Sequence, residues 1–123
     1  MGKSVNDLVL DAALEYVLNN GNEMTVCEGE PTTYAEAHTT KKLADVAMAS
    51  GDYAIANGAS GRKITMAEKA DVAVDATGDA DHVAIVDTVG EVLLYVTTCT
   101  QQTLTSGNTV TFPAWTIQIS DPE

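Results

Sequence analysis

The stretch His82-Val83-Ala84-Ile85-Val86-Asp87-Thr88-Val89-Gly90-Glu91-Val92-Leu93-Leu94-Tyr95-Val96 decides the fold class. Two apolar runs rich in β-branched residues flank a polar break of hairpin size, around Asp87 to Glu91. Because the runs are continuous rather than alternating, they predict strands covered on both faces. They are therefore expected to pair as the central antiparallel strands of the core.

The same style continues outward from this hairpin. Met24-Cys27, Ala44-Met48, Tyr53-Ala56, Arg62-Met66, Val72-Asp75, Thr109-Phe112 and Trp115-Ser120 read as further short strands, most of them bounded by Gly, Asn or Asp. In Trp115-Thr116-Ile117-Gln118-Ile119-Ser120 apolar and polar residues alternate, the period-two mark of a strand with one buried face. Of the chain's sixteen threonines, eight are crowded between Thr97 and Thr116, which suits an exposed pleated surface. The expected fold is mainly β: an antiparallel β-sandwich or small barrel carrying one N-terminal α-helix. Residues 33–43, TYAEAHTTKKL, fit either a loop or a short helix.

That helix is expected over residues 5–19, ahead of a β-rich body at 23–123, all in one domain spanning 1–123. Ser4 with Asp7 three residues on resembles a capping box, and Gly21 after Asn19-Asn20 suits a C-terminal cap of positive φ. Leu8, Val9, Ala12, Ala13, Tyr16 and Val17 form one apolar stripe, with Leu10, Leu14 and Leu18 on a second beside it. A helix this broadly apolar is expected to pack on a sheet with one stripe and on something else, such as another subunit, with the other.

Eighteen acidic against six basic residues give a net charge of −12, which repels phosphate backbones and anionic lipid, so neither nucleic acid nor membrane is an expected partner. Hydrophobic residues make up 45% of the chain but only six are aromatic, which predicts a core of Val, Ile, Leu and Ala. Asn6, Asp7, Asp11 and Glu15 interrupt the first apolar stretch and exclude a signal-peptide core or a membrane span there. Gly2 follows Met1 as in a myristoylation start, yet Lys3 and the lack of a second anchoring signal argue against a lipid anchor. Cys27 and Cys99 lie in no CxxC and are expected to be unpaired buried thiols in a chain made in the cytoplasm.

Reactive groups are sparse. The acidic run Asp71, Asp75, Asp79, Asp81 and Asp87 lacks the terminal glutamate of a calcium loop, so a solvated acidic loop is expected and no metal or other cofactor. No serine lies in GxSxG and there is no HExxH, and His82, opening an apolar strand after Asp81, is expected to play a hydrogen-bonded structural role. His38 reads as a surface residue, and Glu28 with Glu30 flank a turn without fixing a catalytic separation. Gly58-Ala59-Ser60-Gly61-Arg62-Lys63 has neither the gap nor the ending of a phosphate-binding loop and reads as a turn into a strand. The protein is not expected to be an enzyme. Arg62-Lys63 and Lys41-Lys42 hold four of the six basic residues and are expected to meet carboxylates on a neighbouring copy.

Nearly the whole chain resembles a family of small virion structural proteins from tailed bacteriophages and prophages. The resemblance lies in Glu30-Pro31-Thr32-Thr33-Tyr34-Ala35-Glu36-Ala37, Ser60-Gly61-Arg62-Lys63, Ala80-Asp81-His82-Val83-Ala84-Ile85-Val86-Asp87, Leu93-Leu94-Tyr95-Val96-Thr97-Thr98, Gly107-Asn108-Thr109-Val110-Thr111-Phe112-Pro113-Ala114-Trp115 and Ile119-Ser120-Asp121-Pro122. It implies a phage origin and a structural role. An acidic, threonine-rich β domain with no basic patch suits the outside of a head, so capsid decoration is the leading expectation, with the major capsid protein and copies of itself as partners. Leu10, Leu14, Leu18, Arg62, Lys63, Phe112 and Trp115 are the expected subunit-interface residues. A tail, neck or fibre-base component is the alternative. A carbohydrate-binding module comes third, since Trp115, Tyr34, Tyr53 and Tyr95 are scattered among strands.

Overall fold

A computed structural model describes residues 4–121. Residues 1–3, including Gly2, lie outside the described residues, as do Pro122 and Glu123. Helix α1 (Asp7–Asn20) is followed by β1 (Glu23–Cys27), a π-helical turn (Glu36–Thr40), β2 (Lys42–Ala47), β3 (Tyr53–Asn57), β4 (Arg62–Met66), β5 (Lys69–Ala73), β6 (Gly78–Asp87), β7 (Val92–Leu104), β8 (Thr109–Phe112) and β9 (Trp115–Ile119). The strands pair antiparallel in three sheets, in the orders β2-β1-β6-β7, β3-β4-β9 and β5-β8. The fold is mainly β with one N-terminal helix, and among the described residues the sheets stay open, so of the two expected architectures the barrel is not formed. An isolated bridge between Ala44 and Val74 ties the β5-β8 pair to the edge of the four-stranded sheet.

Burial explains the continuous apolar run of β6. Ile85 and Ala80 join the main core with Met24, Ile64, Met66, Phe112 and Ile117, while Ala84 and Val86 point to the opposite face. There the π-helical turn, through Ala37 and the flanking Tyr34, covers a second small cluster. Both faces of β6 are thus taken out of water, as its lack of alternation requires. Its partner β7 departs from expectation. It pairs with β6 in the expected hairpin but lies at the sheet's edge, and its apolar residues Leu93, Leu94 and Tyr95 are only half-buried. The hairpin turn is held by Asp87, whose Oδ1 accepts from the amides of Val89 and Gly90 at 2.9 and 3.0 Å. In β9, Ile117 is buried while Thr116 and Gln118 are exposed, as the alternation predicts.

The helix differs from expectation at both ends. It starts at Asp7, because Asn6 rather than Ser4 is the cap and its Oδ1 accepts from the Leu8 amide at 2.8 Å. At the other end Gly21 has φ −76°, an ordinary backbone conformation. It is needed for lack of space: an added Cβ would lie 2.7 Å from Ile85 Cγ2 and 2.9 Å from the Tyr53 hydroxyl. Tyr53 in turn donates to the Gly21 carbonyl at 2.7 Å, which ties the end of α1 to the start of β3.

Burial pushes the Tyr53 phenol up to about 12, with the nearby Asp52 charge adding to the effect. A folded-state value above the unfolded one favours the folded state below the unfolded value and loses that contribution as pH rises through the folded one. Stability should therefore fall between about pH 10 and 12, by about 2 kcal/mol from this group. Denaturant melts at stepped alkaline pH check this, and Tyr53→Phe should flatten the decline.

Candidate functional site

The helix carries the surface best suited to binding. Leu10 and Leu14 are buried, and Val17 and Leu18 pack against the core. Leu8, Val9 and Tyr16 are 76%, 61% and 55% exposed, with Ala12 and Ala13 exposed between them. The two stripes therefore take roles opposite to those expected. Val17, expected on the other stripe, also turns inward, and the Arg62–Asp11 ion pair ties the helix to β4 in this rotation. Leu10, Leu14 and Leu18 belong to the subunit's own packing, and the outward surface is Leu8, Val9, Ala12, Ala13 and Tyr16, with Asp7 and Glu15 exposed on the same helix.

The remaining expected interface residues are also largely occupied within the subunit. Phe112 is buried in the main core. Trp115 is half-buried, stacked on Tyr95 at 5.9 Å between ring centres, and its indole N–H donates to Met24 Sδ at 3.4 Å. Arg62 reaches back to the helix, with Nε 2.7 Å from Asp11 Oδ1 and a second guanidinium nitrogen 3.3 Å from Oδ2. The two-pronged geometry fits a carboxylate better than any single contact would. Lys42 lies 2.6 Å from Asp45, Lys69 2.9 Å from Asp52 and Lys41 3.8 Å from Glu36. Arg62, Lys41 and Lys42 thus meet carboxylates of their own chain rather than offering themselves to a neighbour. Among the described residues, Lys63 alone of the lysines and arginine has no carboxylate partner, so the outward surface is left strongly acidic.

The groups with catalytic potential are used locally. His82 Nδ1 lies 2.8 Å from Asp81 Oδ1, and the other oxygen-bound partner of that carboxylate is the Gly29 amide, also at 2.8 Å. His38 Nδ1 lies 2.7 Å from Glu23, and its ring stacks on Tyr34. Cys27 and Cys99 are unpaired; Cys27 is buried as expected but Cys99 is only half-buried, and what burial each has pushes its thiol up, away from the reactive thiolate form. The acidic run is spread over several elements: Asp75 sits near Lys42, Asp79 accepts from Thr103, and Asp87 holds the hairpin turn. The glycine-rich turn at 58–61 has its amides occupied, since Gly58 donates to the Gly61 carbonyl, Ala59 to Gln118 and Gly61 to Asp121. A phosphate would have to displace the chain's own acceptors.

The chain matches no protein-family model, no curated protein and no solved structure. The geometry of the molecule is therefore what bears on its role.

A second feature was missed by sequence reasoning. An open cleft of about 600 Å³ lies between β7 on one side and β8 and β9 on the other, floored by Val26, Ala80 and Val83. Five of the lining residues are threonines of the crowded stretch from Thr97 to Thr116, the trace the cleft leaves in the sequence.

Three carboxylates are held below the usual range by hydrogen bonds: Asp81 by His82 and then the Gly29 amide, Asp52 by the Ala49 amide and then Lys69, and Glu36 by the Thr32 amide and hydroxyl. A depressed folded-state value contributes stability above the unfolded carboxylate range, near about pH 4, and loses it as pH falls through the folded value. Acid should therefore destabilise the protein below about pH 4. Relief of like-charge repulsion acts the other way but is nearly common to parent and variant. Asp81→Asn should lower stability at neutral pH and make the acid decline shallower, which thermal melts from pH 6 to 2 measure.

Proposed function

We propose that this protein is a structural component of a tailed-phage virion, decorating the outer surface of the head and stabilising the shell. The observation that carries this reading is the outward apolar stripe of α1 on a subunit whose cations are mostly committed to its own carboxylates. Such a stripe favours burial against a partner. The acidic surroundings select a partner bearing lysine or arginine beside an apolar strip, and they disfavour packed nucleic acid. A major capsid protein's outer face is the proposed partner, with copies of the subunit clustered at the symmetric junctions of the lattice. Repetition over a lattice lets modest contacts hold firmly. The family resemblance of the sequence supports the same role.

Quantitative mass spectrometry of purified virions tests the reading. Decoration predicts on the order of hundreds of copies per particle, whereas about a dozen would place the protein in a neck or tail ring. A phage lacking the gene should still assemble heads but release DNA at lower temperature. Failure to form heads, or absence of the protein from mature particles, would overturn the proposal.

A further inference from the structure

The cleft beside β7 has a property that an ordinary surface groove lacks. One face of a β-strand contributes alternate residues to a surface, because successive side chains point to opposite sides. Here consecutive residues line the opening, 97–100 on β7 and 110–113 on β8 and its exit. Consecutive lining means that the cleft is bordered by more than one face of each strand, as at a strand edge. Pairing agrees: among the described residues β7 pairs only with β6, β8 only with β5 and β9 only with β4. Three strands, each with one side unpaired, thus line one opening with an apolar floor, and an unpaired strand side offers backbone donors and acceptors to an incoming chain.

Charge narrows the occupant further. In a chain of net charge −12, no Asp, Glu, Lys or Arg lines the cleft. A lysine or carboxylate brought inside would be buried without a partner, so the inserted stretch must be uncharged. Outside the cleft the overall negative charge favours a segment with basic flanks. We propose that the cleft accepts an extended, uncharged segment of a partner chain, about six residues long and flanked by lysine or arginine, as an added β-strand along β7. The main-chain bonds supply pairing, and alternate small or β-branched side chains face Val83, Val110 and Trp115. This goes beyond the virion reading and does not rest on it, since the cleft and the outward face of α1 belong to different elements.

The test uses the full chain and a synthetic peptide of alternating threonine and valine, six residues long, with one lysine at each end and both termini blocked. Trp115 is the chain's only tryptophan and lines the cleft, so its emission reports occupancy directly. Saturable peptide binding should shift that emission and slow amide exchange across residues 97–102 by about tenfold or more, leaving β3 and β4 unchanged. The same peptide N-methylated at alternate amides on its pairing edge should lose the effect, and Thr98→Asp, at an exposed lining position, should weaken binding at least about tenfold while the thermal melt stays unaltered. Equal binding of the N-methylated peptide, or no protection of residues 97–102 at millimolar peptide, would overturn the proposal. Protection of the same amides by raised protein concentration alone would put a second copy in the cleft and would also overturn the partner assignment.

Discussion

Replacing Gly21 with valine should lower the melting temperature by about 15 °C, corresponding to roughly 4 kcal/mol in a domain of this size. A Cβ at this position would lie 2.7 Å from both Ile85 Cγ2 and the Val17 carbonyl oxygen, and 2.9 Å from the Tyr53 hydroxyl. The carbonyl cannot yield easily, because it already accepts the Gly21 amide at 2.7 Å and closes the helix. Ile85 is fully buried in β6, so it has nowhere to move without disturbing the central sheet. The hydroxyl could withdraw only by giving up its bond to the Gly21 carbonyl, leaving a buried donor unpaired. Gly21→Ala should act in the same direction with a smaller effect. Gly51→Ala is the control: nothing lies within 4 Å of its added Cβ, and the melt should move by no more than the equivalent of about 0.5 kcal/mol. Differential scanning calorimetry of the three variants settles the matter, and a Gly21→Val protein melting with the parent would show that the helix end is not packed as described.

Gly21 also marks where sequence reading reached its limit. Its position after Asn19-Asn20 correctly signals the end of a helix, but local sequence cannot tell a glycine required by its own φ from one required by a distant neighbour. Only the return of Ile85 and Tyr53 in three dimensions makes that distinction. Strand existence was more legible, because turn chemistry and β propensity act over a few residues. Arg62–Met66 and Thr109–Phe112 are found with the expected bounds, and β9 ends one residue early. Edge or centre was not legible. The apolar run at 92–96 fits a central strand, yet β7 has β6 on one side only, and the cleft on its other side is a property of how three sheets meet rather than of any one segment.

For the helix, periodicity revealed both apolar stripes but did not determine which turned inward. What the periodicity lacks is the Arg62–Asp11 pair, which ties α1 to the start of β4 in one rotation. A residue 51 positions away thus supplies information that the helix pattern alone lacks. The binding role passes from Leu10, Leu14 and Leu18 to Leu8, Val9, Ala12, Ala13 and Tyr16 of the other stripe.

That transfer has a sharp consequence for the proposed virion role. Changing Leu8 and Val9 together to aspartate should weaken binding to heads purified from a phage lacking this protein by about 100-fold, with no loss of thermal stability. Stability is spared because both side chains are already exposed, and acidic residues in the first turn of α1 lie at the positive end of the helix dipole. Binding is not spared, since two apolar contacts are lost and two charges must be desolvated at the interface. Leu14→Asp separates the two stripes: it should unfold the subunit, because Leu14 is 2% exposed and packed among apolar core side chains. Sedimentation of heads with labelled protein measures the affinities, and circular dichroism measures the folds. Parent-like binding by the Leu8→Asp, Val9→Asp protein would remove the helix from the contact, while normal folding with lost binding would tie the outward stripe to the shell independently of the subunit's own core.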